Sequence, residues 1–309
     1  MESTTSLDGL NISLGNETDT EVAEALLILA FFLLGYTVVF GVLLFVGSVS
    51  IILLVISLVR GHKTFSKYPF YWIVWQIAIV DGLYMLCQVV CIYWIILVTD
   101  KPEPWMETLM FVGYLICDIC DEAIIYLTLL MAFNRLAIFV VPRLKPYFEK
   151  KRLPFLIMAT YVAVLIQFLN TLLLSPPKEF SKTKIQFASA DGAKALVDIG
   201  PYYMILEYWD RAVPMAILII YIVIYIRIRR QRKLVSSADQ ARRRKSSRDD
   251  KKMLFQAFII AVMYLLIVVS SLASIVNHTI NPLIFLLGNS AIRSLLPWKK
   301  AKYSQNSST

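Results

Sequence analysis

Charge is scarce in this chain: 17% of its residues are Asp, Glu, Lys or Arg, against about 25% in an ordinary soluble domain. It is missing in blocks. The runs Ala25–Val59, Pro69–Val98, Met106–Val140, Leu153–Ser175, Met204–Ile226 and Met253–Leu287 are predominantly apolar, each at least about the 20 residues an α-helix needs to cross a bilayer. With 58% hydrophobic residues over 309 positions, no room is left for a soluble domain of ordinary size. Histidine is nearly absent, at His62 and His278 alone. No serine, cysteine or metal-ligand constellation lies near either in the sequence, so an enzyme is not expected, nor a cofactor or a metal. The four cysteines, Cys87, Cys91, Cys117 and Cys120, all fall inside the second and third runs, which excludes an extracellular loop disulfide. The Cys117-x-x-Cys120 spacing reads as small side chains packing against neighbouring helices rather than as a metal site.

Lys and Arg are absent from the first 24 residues. That tail lacks the basic region of a signal peptide, so the first span is expected to act as a signal anchor. The net charge of +9 is not a nucleic-acid footprint, because its cations gather on alternate loops: three in 60–68, five in 142–152 and twelve in 227–252. The intervening segments hold one in Thr99–Trp105 and four in Pro176–Tyr202. This is the positive-inside pattern, and it predicts an extracellular N-terminus and cytoplasmic basic loops. The sequons Asn11-Ile12-Ser13 and Asn16-Glu17-Thr18 agree, since glycosylation at Asn11 and Asn16 requires the lumenal side. The expected organisation is a glycosylatable N-tail over 1–24, a membrane domain over 25–289 that includes the basic loop 227–252, and a basic C-tail over 290–309.

Glycine and proline are missing from Met253–Ile280, so one long helix fused across that stretch is expected, kinked at Pro282. The fold expected is all-α: a polytopic bundle of the seven-span receptor type with only six hydrophobic runs. Six crossings would leave the tail outside, whereas Arg293, Lys299, Lys300 and Lys302 favour the cytoplasm.

Four motifs occur in a significant order. The third span ends in Met131-Ala132-Phe133-Asn134-Arg135-Leu136-Ala137-Ile138, followed by Pro142. The second contains Ile77-Ala78-Ile79-Val80-Asp81, the fifth contains Pro214, and the last contains Asn277-x-x-x-Asn281-Pro282-x-x-Phe285. Together these resemble the rhodopsin-like G-protein-coupled receptors. Asn134 replaces the acid of the Asp-Arg-Tyr box, Leu136 and Phe285 replace tyrosines, and Ser48 follows Gly47 where that superfamily has asparagine. Within the superfamily, the Asn-Arg pair, Pro142, the aromatic-rich second span and the absent disulfide are most similar to nematode serpentine chemosensory receptors.

The resemblance implies a plasma-membrane receptor, that of sensory cilia included, coupling an external small molecule or peptide to a heterotrimeric G protein. It implies that Asn134 and Arg135 engage the G protein, and that Asp81, Asn277, Asn281, Pro282 and Phe285 form an allosteric cation site and activation relay. The sixth-span Cys-Trp-x-Pro toggle is absent, and two full spans do not fit between Met253 and Asn281. That pattern reads as a receptor lacking the outer halves of its sixth and seventh spans, through truncation, a misassembled gene or degeneration.

Asp118, Asp121 and Glu122 fall at i, i+3 and i+4 of the third span and share a helical face. They lie roughly 20–25 Å above Arg135 by helix rise, the depth of a ligand pocket. Glu207, Asp210 and Arg211 repeat the spacing in the fifth span, with Tyr114, Tyr208 and Trp209 as aromatic walls for a cationic ligand. Alternatives stand beside these readings. The acids also suit an ion-paired packing network, Arg135 suits snorkelling to the interface, and the basic loop suits anchorage on anionic membrane lipid. Arg243-Arg244-Lys245-Ser246 fits phosphorylation of Ser246 by a basophilic kinase. The competing class is a transporter or channel using the intramembrane carboxylates as an ion path.

Overall fold

In the computed structural model the described residues are 14–93, 103–174, 178–181, 186–189, 200–233 and 271–296. The first helix, α1 (Leu14–Arg60), crosses the boundary between two compact units, Met1–Leu43 and Leu44–Thr309. The first unit contributes the N-terminal part of that helix, and the packing described below is that of the second. The helical backbone begins eleven residues before the expected start at Ala25, so Asn16 lies on helical backbone; Asn11 is outside the described residues.

A short helix, α2 (His62–Phe65), fills the first basic loop, and α3 (Pro69–Cys87) follows with proline in its first turn, where no backbone donor is lost. A π-helical turn, Gln88–Tyr93, continues α3. Next come α4 (Pro104–Phe139), a 3-10 turn over Pro142–Phe148, and α5 (Leu153–Leu174). Two strands, β1 (Lys178–Ser181) and β2 (Gln186–Ser189), form an antiparallel hairpin that pairs Phe180 with Phe187. This hairpin was not expected; its aromatics match across strands where helical periodicity is lacking. The remaining helices are α6 (Gly200–Lys233), α7 (Ser271–Gly288) and α8 (Ser290–Ser294).

Four described segments are long and apolar enough to cross a membrane: Thr37–Arg60, Pro69–Val90, Leu153–Asn170 and Ala212–Arg230. A shorter apolar helix covers Ile275–Leu287. The helix α6 runs past the expected end at Ile226 through Arg227, Arg229 and Arg230, because arginine is a good helix former and its stem packs along apolar surface. The proposed fusion with Met253–Ser270 lies outside the described residues, as do Ser246 and most of the basic loop.

The third span is the hub. Helix α4 packs on α3, α5 and α6, while α3 also packs on α7. Against α6, Ala132 is buried with Val213, Ile217, Tyr221 and Ile224. In the apolar interior, serines satisfy their hydroxyls on their own helix: Ser50 Oγ donates to the Val46 carbonyl at 2.7 Å and Ser57 Oγ to Leu53 at 2.8 Å. Tyr161 on α5 donates to Gln76 Oε1 on α3 at 3.0 Å. Gly47 lets α1 close on its neighbours. A methyl group there would lie 2.6 Å from Met85 Cε and 2.8 Å from Thr279 Oγ1.

The last helices fold back to the basic end. Asn289 caps α8 by accepting from the backbone N–H groups of Ala291 and Ile292, and its amide donates to the Tyr71 hydroxyl at 3.2 Å. Arg60 donates to the Leu295 carbonyl at 3.4 Å.

Candidate functional site

Asp81 is brought to the bundle centre by the turns of α3 that also bury Ile77, Ala78, Tyr84 and Met85. A carboxylate there has lost its water and needs a partner. The partner is His278 of α7. Its Nδ1 lies 2.7 Å from Asp81 Oδ1, and its Nε2 lies 2.9 Å from Asp121 Oδ1 on α4. His278 and Asp81 are fully buried, while the Asp121 side chain is 29% exposed. The imidazole stacks on Tyr84, with centroids 3.7 Å apart and planes at 13°. One ring therefore joins three spans.

Proton counting bounds the charge of this cluster. Two hydrogen bonds from one ring to two carboxyl groups need two protons, either on both ring nitrogens or on one nitrogen and one carboxyl oxygen. Both arrangements carry one net negative charge. Around the bridge, Asp81 Oδ2 and both amide atoms of Asn277 and Asn281 are buried without a hydrogen-bond partner among the described residues. Asn281 lies beside Asp81 but closes no hydrogen bond of ordinary geometry with it. Pro282, one turn after His278, has no N–H to offer the His278 carbonyl.

The second cluster lies at the basic end, about 21 Å along α4 from Asp121 by helix rise. Arg135 is buried, at 5% exposure, rather than reaching out to an interface. Its guanidinium carbon lies 5.1 Å from the Phe70 ring centroid and 5.7 Å from that of Tyr221. With Asn134 in the position of an acid, Arg135 makes no ion pair among the described residues, and the negative ring faces of α3 and α6 replace one. Phe70 also meets Phe285, at 6.5 Å and 60°. The same ring thus touches the third-span arginine and the Asn-Pro-x-x-Phe segment of α7.

The structure brings together Asp81, Asp121 and Asn281, which the sequence had assigned to two separate sites; Asn277 is buried one turn from Asn281 on α7. Asp118 and Glu122 sit half-buried on α4, about 60° and 100° round the helix from Asp121. Glu207 and Arg211 lie on the α6 backbone, and their side chains are outside the described set. Sequence reasoning missed His278, Tyr84, Phe70 and Tyr221. Two signals were present for His278: an unpartnered acid in the second span, and a histidine inside the very pattern that named Asn277 and Asn281.

Membrane helices packed round a buried polar bridge, with an arginine near the C-terminal end of the third span and Asn-Pro in α7, define a receptor-type bundle. The family model described as serpentine type 7TM GPCR chemoreceptor Srx matches residues 42–292, and the chain belongs to that family. It is an integral membrane protein of a receptor family, and the resemblance to serpentine chemosensory receptors holds over most of its length. No curated protein matches the chain.

Proposed function

We propose that this chemoreceptor couples an external small ligand to a heterotrimeric G protein through Arg135. The observation that carries the reading is the burial of Arg135 between Phe70 and Tyr221, with Phe70 also against Phe285. Among the described residues the contacts that hold this arginine are ring faces, and each restrains it weakly, by about 0.5–2 kcal/mol. A small shift of α6 or α7 frees it to meet a partner at the cytoplasmic surface, with Asn134 alongside. The carboxylates Asp118 and Glu122, with Glu207 and Arg211 on α6, form the ligand-facing set in this reading, and they favour a cationic ligand. Asn11 and Asn16 carry glycans outside, and Ser246 is a phosphorylation site inside. The arginines Arg227, Arg229 and Arg230 on α6 rest on anionic lipid.

Topology supports a working receptor. The helix α6 runs past Arg135 to end at Lys233 on the basic side, whereas α7 descends from Ser271 past His278 to Phe285 and Gly288 on that side. The ends of α6 and α7 that face each other in sequence are therefore on opposite sides, and the end of α7 on the basic side supports a cytoplasmic tail over 290–309.

The test needs no ligand. Nucleotide exchange on a co-expressed G protein is measured in membranes from cells expressing the parent, Phe70→Ala, and Phe70→Ala with Arg135→Ala, at matched surface expression. Freeing Arg135 raises basal exchange, and removing it abolishes the rise. A double variant as active as Phe70→Ala alone overturns the role of Arg135.

A further inference from the structure

The rhodopsin-like resemblance implies a metal cation, sodium by its chemistry, held at Asp81. The residues present do not fit one. His278 Nδ1 stands 2.7 Å from Asp81 Oδ1 on the side of α7, which leaves an ion the single oxygen Oδ2 of that carboxylate. The ring has no slack to give way: it is wholly buried, stacked on Tyr84 at 3.7 Å, and held on its far nitrogen by Asp121 at 2.9 Å. The first-span asparagine that would help complete an oxygen shell is replaced by Ser48.

We propose that His278 is a tethered substitute for the metal cation: a side chain of α7 that bridges Asp81 and Asp121 and holds α3, α4 and α7 together without sodium. The substitution accounts for three features at once. Two acids on adjacent spans lie within reach of one ring, at 2.7 and 2.9 Å from its two nitrogens. The ring is flat against an aromatic neighbour, as a permanent packing element is. Among the described residues, Asp81 Oδ2 and the amide oxygen of the neighbouring Asn281 are buried without a hydrogen bond of ordinary geometry, so the remnant of an oxygen shell persists beside the group that displaced the ion. Covalent attachment also removes the dependence on ion concentration that mass action gives a bound cation.

The experiment is thermal unfolding of the purified full-length receptor in sodium chloride and in choline chloride of equal ionic strength. The parent is expected to unfold at the same temperature in both. His278→Ser opens the space between Asp81, Asn277 and Asn281; it is expected to unfold lower than the parent in choline and to recover several degrees in sodium. A parent that is selectively stabilised by sodium overturns the proposal. So does a folded His278→Ser protein indifferent to the choice of salt, since the ring then bridges helices without standing in for an ion. Should His278→Ser fold in neither salt, Asp81→Asn decides. Equal destabilisation in the two salts supports the tethered bridge, and a loss confined to sodium overturns it. Because the readout is stability, failure here leaves the Arg135 reading of coupling untouched.

Discussion

The two polar clusters of this bundle solve the same problem in opposite ways. At mid-span, one wholly buried acid and one partly exposed acid are answered by a basic ring at hydrogen-bond distance on both sides. At the basic end, a buried arginine is answered by two ring faces more than 5 Å away. Directional bonds between ionisable groups in low dielectric are strong and break at a high cost. Ring faces attract broadly and yield over small movements. The contrast teaches that the bundle is bolted in the middle and only latched at the end where a partner would dock.

The comparison is broken most severely at the bolt. His278→Ala leaves two acids near each other without the bridging ring, and is expected to lower stability by about 3–5 kcal/mol, read as a fall in unfolding temperature and in surface yield. Asp81→Asn is expected to cost more than Asp121→Asn, because Asp81 is wholly buried and water reaches Asp121; the same unfolding assay ranks them. Equal losses would mean that both sites are equally dry. Next in size is Gly47→Ala, where the added methyl must displace Met85 and Thr279 and costs about 1–3 kcal/mol. The flexible Met85 side chain should hold it to the lower half of that range. At the latch, Phe70→Ala should cost less than His278→Ala while raising basal nucleotide exchange, a separation of stability from activity that the bolt variants do not show. The smallest effect is expected of Tyr221→Phe, which keeps the ring face over Arg135. A large gain in basal exchange from it would assign the restraint to the hydroxyl instead of the ring.

The spans and their order were legible because hydrophobic length and the sign of loop charge are local properties, readable within windows of about 20 residues. Arg135, Asp81 and Asn281-Pro282 were legible as motifs. The bridge was not, since His278 and Asp121 stand 157 positions apart, and nothing in either neighbourhood names the other. Grouping Asp121 with Asp118 and Glu122 followed a sound helical rule, yet i, i+3 spacing fixes only a face. Which neighbour covers that face depends on how α4 meets α7. The early start of α1 and the long C-terminal extension of α6 escaped for a different reason: Glu, Ala, Lys and Arg sustain a helix beyond the apolar stretch that marks a span.

The π-helical turn over Gln88–Tyr93 sets the phase of the second span. Such a turn holds one more residue than an α-helical turn, and each residue advances a helix by about 100°. Below it, Asp81 and Tyr84 keep their angular position against His278. The bridge residues precede it, so a one-residue insertion or deletion beyond Tyr93 would leave their phase against His278 undisturbed.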